Sequence, residues 1–119
     1  MKKILIVDDE PNIVMSLEYT FKKNNFEVFI ARDGQEALDI LKKTFPDVII
    51  LDVMMPMVDG YATLKQIKND ANLSNTKVVF LSAKNKESDI EKGLALCADA
   101  YMTKPFSIKK VVDQVLELL

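Results

Sequence analysis

The chain has 119 residues, 49% of them hydrophobic and 29% charged, which is the composition of one globular domain rather than of a disordered tract. Sixteen Lys and Arg against eighteen Asp and Glu give a net charge of -2, so there is no global attraction to nucleic acid or to an anionic membrane. With no His and a single Cys, Cys97, the chain cannot build a Ser-His-Asp or Cys-His triad, a phosphohistidine, an imidazole metal site, an internal disulfide or a thiolate zinc cage.

The chain opens on Met1-Lys2-Lys3 and an apolar run at residues 4–7, which Asp8-Asp9-Glu10 ends too early for a signal-peptide core. That run reads as a first strand. Ile13, Val14, Leu17 and Phe21 follow at helical spacing, with Pro11 near the first turn. Phe26–Ala31 predicts a second strand, and Glu27 within it marks an edge. Asp33-Gly34-Gln35-Glu36 has the form of a capping box ahead of Ala37, Leu38 and Leu41. Val48–Leu51 predicts a third strand, and Tyr61, Leu64 and Ile67 after Asp59-Gly60 a third helix. Residues 78–81 predict a fourth strand. Ile90 and Leu94, with Cys97 in register, predict a fourth helix. Ala100–Thr103 is a weaker fifth strand before Pro105, and Ile108, Val111, Val112, Val115, Leu116 and Leu119 predict a fifth helix running to the last residue.

Five strand–helix repeats predict one α/β domain over residues 1–119, a doubly wound parallel sheet in three layers with right-handed crossovers. No apolar run is long enough to span a bilayer, and the lone cysteine suits a reducing compartment, so a soluble cytoplasmic protein is expected.

Ligands of open parallel sheets bind beyond the carboxyl ends of the strands. Asp8, Asp9 and Glu10 follow the first strand, Asp52 the third, Ser82 the fourth, and Thr103 and Lys104 the fifth. Clustered carboxylates raise one another's pKa unless a cation joins them. An all-oxygen set suits Mg²⁺, and three carboxylates, one Mg²⁺ and the Lys104 ammonium sum to zero formal charge. Asp is also a nucleophile in forming aspartyl phosphates. For Asp8 and Asp9 taken alone, helix capping and metal binding are equally open, and Ser82 and Lys104 taken alone read as surface residues.

Three segments together resemble the receiver domain of two-component response regulators, of the chemotaxis-regulator type. They are Ile4-Leu5-Ile6-Val7-Asp8-Asp9-Glu10-Pro11, Leu51-Asp52-Val53-Met54-Met55-Pro56 with Asp59-Gly60, and Thr103-Lys104-Pro105-Phe106. The resemblance implies a flavodoxin-like strand order 2-1-3-4-5, an order for which a member of this family is a standard example. It implies that Asp52 is the phosphoacceptor, charged by a sensor histidine kinase or a phosphotransfer protein. Asp9, Asp52 and the backbone carbonyl of Met54 would bind Mg²⁺ directly, and Asp8 through water. Lys104 and Ser82 would meet the phosphoryl group, Tyr101 would turn inward as Ser82 moves, and the Lys104–Pro105 bond would be cis. The implied output is a change of the face formed by the fourth helix, fifth strand and fifth helix, which a downstream effector reads. Such a protein is not an enzyme beyond its own phosphorylation and slow self-dephosphorylation, and this chain would not bind nucleic acid directly.

Several positions depart from the family pattern. Met57 and Val58 replace a frequent Gly-Met and read as neutral. Cys97 replaces a frequent glycine and reads as a helix-end packing residue; left-handed geometry there would cost about 1–2 kcal/mol. Met54 and Lys84, each two residues beyond a site residue, offer no side chain suited to orient an attacking water, so a long phosphoryl lifetime is expected. Gln114 stands where dimerising regulators commonly carry Arg, which favours a monomer. Three other readings fit less well: a flavin or nucleotide binder would need a Gly-rich loop where Asp8-Asp9-Glu10 stands, an Asp-dependent phosphatase would need an acid at Met54, and a receiver that is never phosphorylated would not need the intact Asp9, Asp52, Ser82 and Lys104.

Overall fold

The structure is a computed structural model that describes residues 1–55 and 59–119; Pro56, Met57 and Val58, including the expected neutral Met57-Val58 pair, lie outside the described residues. The strands are β1 (Lys2–Val7), β2 (Phe26–Ala31), β3 (Val48–Leu51), β4 (Lys77–Ser82) and β5 (Ala100–Thr103). The helices are α1 (Pro11–Lys23), α2 (Gly34–Leu41), α3 (Gly60–Lys68), α4 (Glu87–Ala95) and α5 (Ile108–Leu118), with a 3₁₀ turn at Ala71–Leu73 that the apolar periodicity does not announce. All strand pairs are parallel in the order β2-β1-β3-β4-β5. β2 is an edge, as Glu27 indicates, with Glu27 exposed and Val28, Phe29 and Ile30 only partly buried.

Side chains alternate between the two faces of each strand. Ile4 and Ile6, Val48 and Ile50, and Val79 and Leu81 face the layer of α1 and α5, where they pack with Leu17, Phe21, Val111 and Val115. Leu5 and Val7, Ile49 and Leu51, and Val78 and Phe80 face the opposite layer, with Ala37, Leu41, Tyr61, Leu64 and Ile67. Because helices cover both faces, residues 4–7, 48–51 and 78–81 are apolar at every position rather than at every second one.

Local signals place most helix starts. Asp33 accepts a hydrogen bond from the Glu36 N–H at 2.8 Å, and Asp59 accepts one from the Ala62 N–H at 2.9 Å. Ser107 caps α5 in the same way. The expected capping box of α2 closes one residue early: Glu36 Oε1 accepts from the Arg32 N–H rather than from that of Asp33. Gly60 is required by a close approach. A Cβ there would lie 2.7 Å from the Val53 Cα and would collide with the Asp52 carbonyl oxygen, so α3 starts directly against the end of β3.

Two helices differ from expectation. The apolar stripe predicted for α4 does not form, because Leu94 is 47% exposed and Cys97 lies beyond the helix, exposed, with φ 75°. Cys97 is therefore not a packing residue; it reverses the chain in the left-handed region, where its side chain meets the strain anticipated from the missing glycine. The buried residue of α4 is Gly93. α5 ends at Leu118, one residue short of the terminus, and Leu116 and Leu119 face solvent at 50% and 42% exposure.

Candidate functional site

Beyond the strand ends, the ladder continues by single backbone hydrogen bonds. Asp8 N–H donates to the Ala31 carbonyl at 3.1 Å, Asp52 N–H to Val7 at 3.0 Å, and Lys104 N–H to Ser82 at 2.8 Å. Sheet geometry therefore fixes the backbone of all four residues at one carboxyl edge. Ser82 is the last residue of β4 rather than the first after it.

Lys104 is the hub. Its Nζ lies 2.9 Å from Asp8 Oδ2, 3.1 Å from Glu10 Oε1 and 3.2 Å from Asp52 Oδ2. Asp8 and Asp52 are buried and Glu10 is exposed. The second oxygen of each buried carboxylate takes a backbone donor: Asp8 Oδ1 from Glu10 N–H at 2.9 Å, and Asp52 Oδ1 from Met54 N–H at 3.1 Å. Burial raises the Asp8 pKa above the ordinary carboxylate value, and the Glu10 N–H and Lys104 offset only part of that. Burial works against the Lys104 ammonium too. The Asp8 hydrogen bond and the charges of Asp52 and Asp8 outweigh it, and hold the Lys104 pKa above the usual lysine range.

Asp8, Glu10 and Asp52 each offer an oxygen within 4.8 Å of the others. Three carboxylates against one ammonium leave a formal charge of −2, and an all-oxygen donor set is that of a hard divalent cation. The pocket thus fits Mg²⁺ by charge and by donor chemistry. Glu10 is the member that the sequence alone does not single out; its place as third of three consecutive acids was the available signal. Glu10 sits at the N-cap of α1 without bonding the helix through its side chain.

Asp9 is exposed and lies beside the cluster, on an open cavity of about 480 Å³ that it shares with Met54, Asp59, Tyr61, Lys84 and Lys92. The side chain of Met54 is 55% exposed on this cavity. The fully buried Ser82 Oγ accepts the Lys84 N–H at 3.2 Å, and the Tyr101 hydroxyl donates to the Lys84 carbonyl at 2.8 Å. Burial, reinforced by the neighbouring Tyr61, pushes the Tyr101 phenol up to about 12. The Lys104–Pro105 peptide bond is cis.

A family model described as the response regulator receiver domain matches residues 4–116. The alkaline phosphatase synthesis transcriptional regulatory protein PhoP of Bacillus subtilis is 43% identical over 118 residues, 99% of this chain; the chain spans 48% of that relative, about half its length. The receiver domain of the Francisella response regulator 1452 superposes with a TM-score of 0.91 at 36% identity, covering 99% of this chain and 96% of that one. Chemotaxis response regulator CheY4 of Vibrio cholerae superposes with a TM-score of 0.93 at 30% identity, covering 100% and 99%. With the doubly wound order 2-1-3-4-5 and an acidic pocket at its carboxyl edge, the chain belongs to the response regulator receiver domain family of two-component systems.

Proposed function

We propose that residues 1–119 form one receiver unit whose phosphoacceptor is Asp52. Receiver domains are signalling switches that work with histidine kinases and effectors. Here the donor would be a phosphohistidine on a partner kinase or phosphotransfer protein, because this chain has no histidine of its own. A carboxylate oxygen of Asp52 forms the new O–P bond as the donor's N–P bond breaks, and the imidazole leaves. The observation that carries this reading is the buried Asp52 carboxylate, held by the Met54 N–H on one oxygen and by Lys104 at 3.2 Å on the other.

Asp9, Asp52 and the Met54 carbonyl are the proposed Mg²⁺ ligands, with Asp8 acting through water and Glu10 a further oxygen donor at the same edge. When bound, Mg²⁺ supplies positive charge to the phosphoryl oxygens. Lys104 then pairs with the phosphoryl group, and Ser82 donates its hydroxyl to it. Phosphorylation replaces a carboxylate by a group of about −2 charge. Ser82 and Tyr101 rearrange in response, and the α4–β5–α5 face presents a different surface to a downstream effector.

Neither Met54 nor Lys84 brings a carboxylate or amide to orient an attacking water, so self-hydrolysis is slow. That timescale suits gene regulation, the role printed in the name of the relative PhoP. Gln114, beside Lys110 on the groove between β5 and α5, lacks the charge for an ion-paired dimer, and the proposed state is a monomer in the cytoplasm. Among the described residues no helix is long and apolar enough to cross a membrane.

Intact mass after incubation with acetyl phosphate and Mg²⁺ tests the proposal. One phosphoryl adduct is expected, absent in Asp52→Asn and without metal. An adduct that survives Asp52→Asn would overturn it.

A further inference from the structure

α4 is attached in an unusual way. Its one buried residue is Gly93, Leu94 faces solvent, and Lys86 at its N-cap makes no side-chain hydrogen bond to it. Little apolar area therefore holds this helix to the sheet. Two tyrosines from different elements reach it instead. From β5, the Tyr101 hydroxyl donates to the Lys84 carbonyl at 2.8 Å, just ahead of the helix. From α3, the buried Tyr61 donates its hydroxyl to the Asp89 carbonyl in the first turn, at 3.1 Å.

Both rings pack against Phe80, each with its centroid 5.6 Å from the Phe80 centroid, and their hydroxyls are neighbours. Gly93 rests on this platform: a Cβ there would lie 2.8 Å from the Tyr101 ring and 3.0 Å from that of Phe80. Lys92 closes the arrangement from above, its ammonium 4.3 Å from the Tyr61 centroid.

From this geometry we infer that Tyr61 is a second positioning residue for α4, which anchors the helix from the α3 side as Tyr101 anchors its preceding loop from the β5 side. α4 is a low-stability element held by two hydroxyl contacts, to different backbone carbonyls, on an aromatic base. Release of Tyr101 alone leaves the first turn of α4 tied to α3, so Tyr61 sets how far the helix yields when the site is phosphorylated. That consequence for signalling rests on the phosphoacceptor role proposed for Asp52. The anchoring itself is measurable in unphosphorylated protein, so the two fail separately.

Hydrogen exchange of the full chain tests this with Tyr61→Phe, which keeps the ring on Phe80 and removes only the hydroxyl. Residues 84–96 are expected to exchange about three- to tenfold faster, the effect of one net hydrogen bond, while β1 and β3 are unchanged. Unchanged exchange in α4 overturns the inference. An equal acceleration in every element also overturns it, because Tyr61 would then be a core residue and no more. After acetyl phosphate and Mg²⁺, with the adduct verified by mass, α4 is expected to open further in Tyr61→Phe than in the wild type. Equal opening in the two phosphorylated proteins would remove the signalling role and leave the anchor. No adduct in either protein would count against the role of Asp52 alone.

Discussion

Ser82 and Tyr101 hold the backbone of one residue, Lys84, through its two flanking peptide units: the Ser82 Oγ accepts the N–H of Lys84, and the Tyr101 hydroxyl donates to its carbonyl. The buried end of β4 and the half-buried β5 are thus linked through one residue of the β4–α4 loop. If Ser82 turns toward a phosphoryl group it gives up the Lys84 N–H, and the loop that Tyr101 grips is loosened from its other side. A contact change at the acidic edge then reaches the surface of α4 without any movement of the strands.

Lys104→Met removes the one cation shared by Asp8, Glu10 and Asp52. Removing one partner of a buried charge cluster costs about 3–5 kcal/mol, and the exposure of Glu10 brings the expected loss here to about 2–3 kcal/mol. Mg²⁺ should restore part of it. Thermal unfolding with and without Mg²⁺ checks this: the metal is expected to raise Tm more in the variant than in the wild type, and equal shifts would place the ion elsewhere.

Gly60→Ala forces a methyl group against the Asp52 carbonyl and the Val53 Cα. Overpacking of this kind costs about 1–3 kcal/mol. Because the displaced atoms carry Asp52, acetyl-phosphate labelling should slow by more than the loss of stability explains. Labelling rates at a temperature where both proteins are folded separate the two effects.

The phenol of Tyr101 titrates at about 12, above the ordinary value of 10.0. Between those values the unfolded chain has lost a proton that the folded chain keeps. This group's contribution to stability is therefore constant below about pH 10 and falls as pH rises toward 12. Absorbance at 295 nm (a probe wavelength, about that of phenolate absorption) should lose its most alkaline step in Tyr101→Phe.

Asp8 has the same sign on the acid side. Burial makes its folded form hold a proton more readily than the unfolded chain does, so its contribution to stability is greatest at low pH and is lost as pH rises through its raised pKa. Asp8→Asn should stabilise the metal-free protein at neutral pH and weaken Mg²⁺ binding. Denaturant unfolding and a Mg²⁺ titration read the two effects separately; a variant that loses stability without metal would mean that the ion pair with Lys104 outweighs burial.

The strands and the sheet edge were legible because their causes are local. Val48–Leu51 is apolar at every position, and Asp52 follows it directly. α4 was legible only as a helix, not in its packing, since a glycine on two aromatic rings leaves no apolar period to detect. The same limit applies to the three acids after β1. Asp8 and Glu10 reach Lys104 while Asp9 lies on the neighbouring cavity, a feature of three-dimensional geometry that composition does not carry. Tyr61 reads as one more core position of α3, and its hydroxyl contact spans 28 residues of sequence.

The backbone bonds that carry the ladder past the strand ends bear on how such a chain could diverge. Asp8, Asp52 and Lys104 each sit in register with a neighbouring strand. Side chains change faces at every residue, so one inserted or deleted residue within β1, β3 or β5 would turn the functional group away from the edge while leaving composition almost intact. The segment between α2 and β3 carries no such restriction at its helix end. Descendants of this chain are free to vary there in length, whereas the strands must be inherited residue for residue in number, though not in kind.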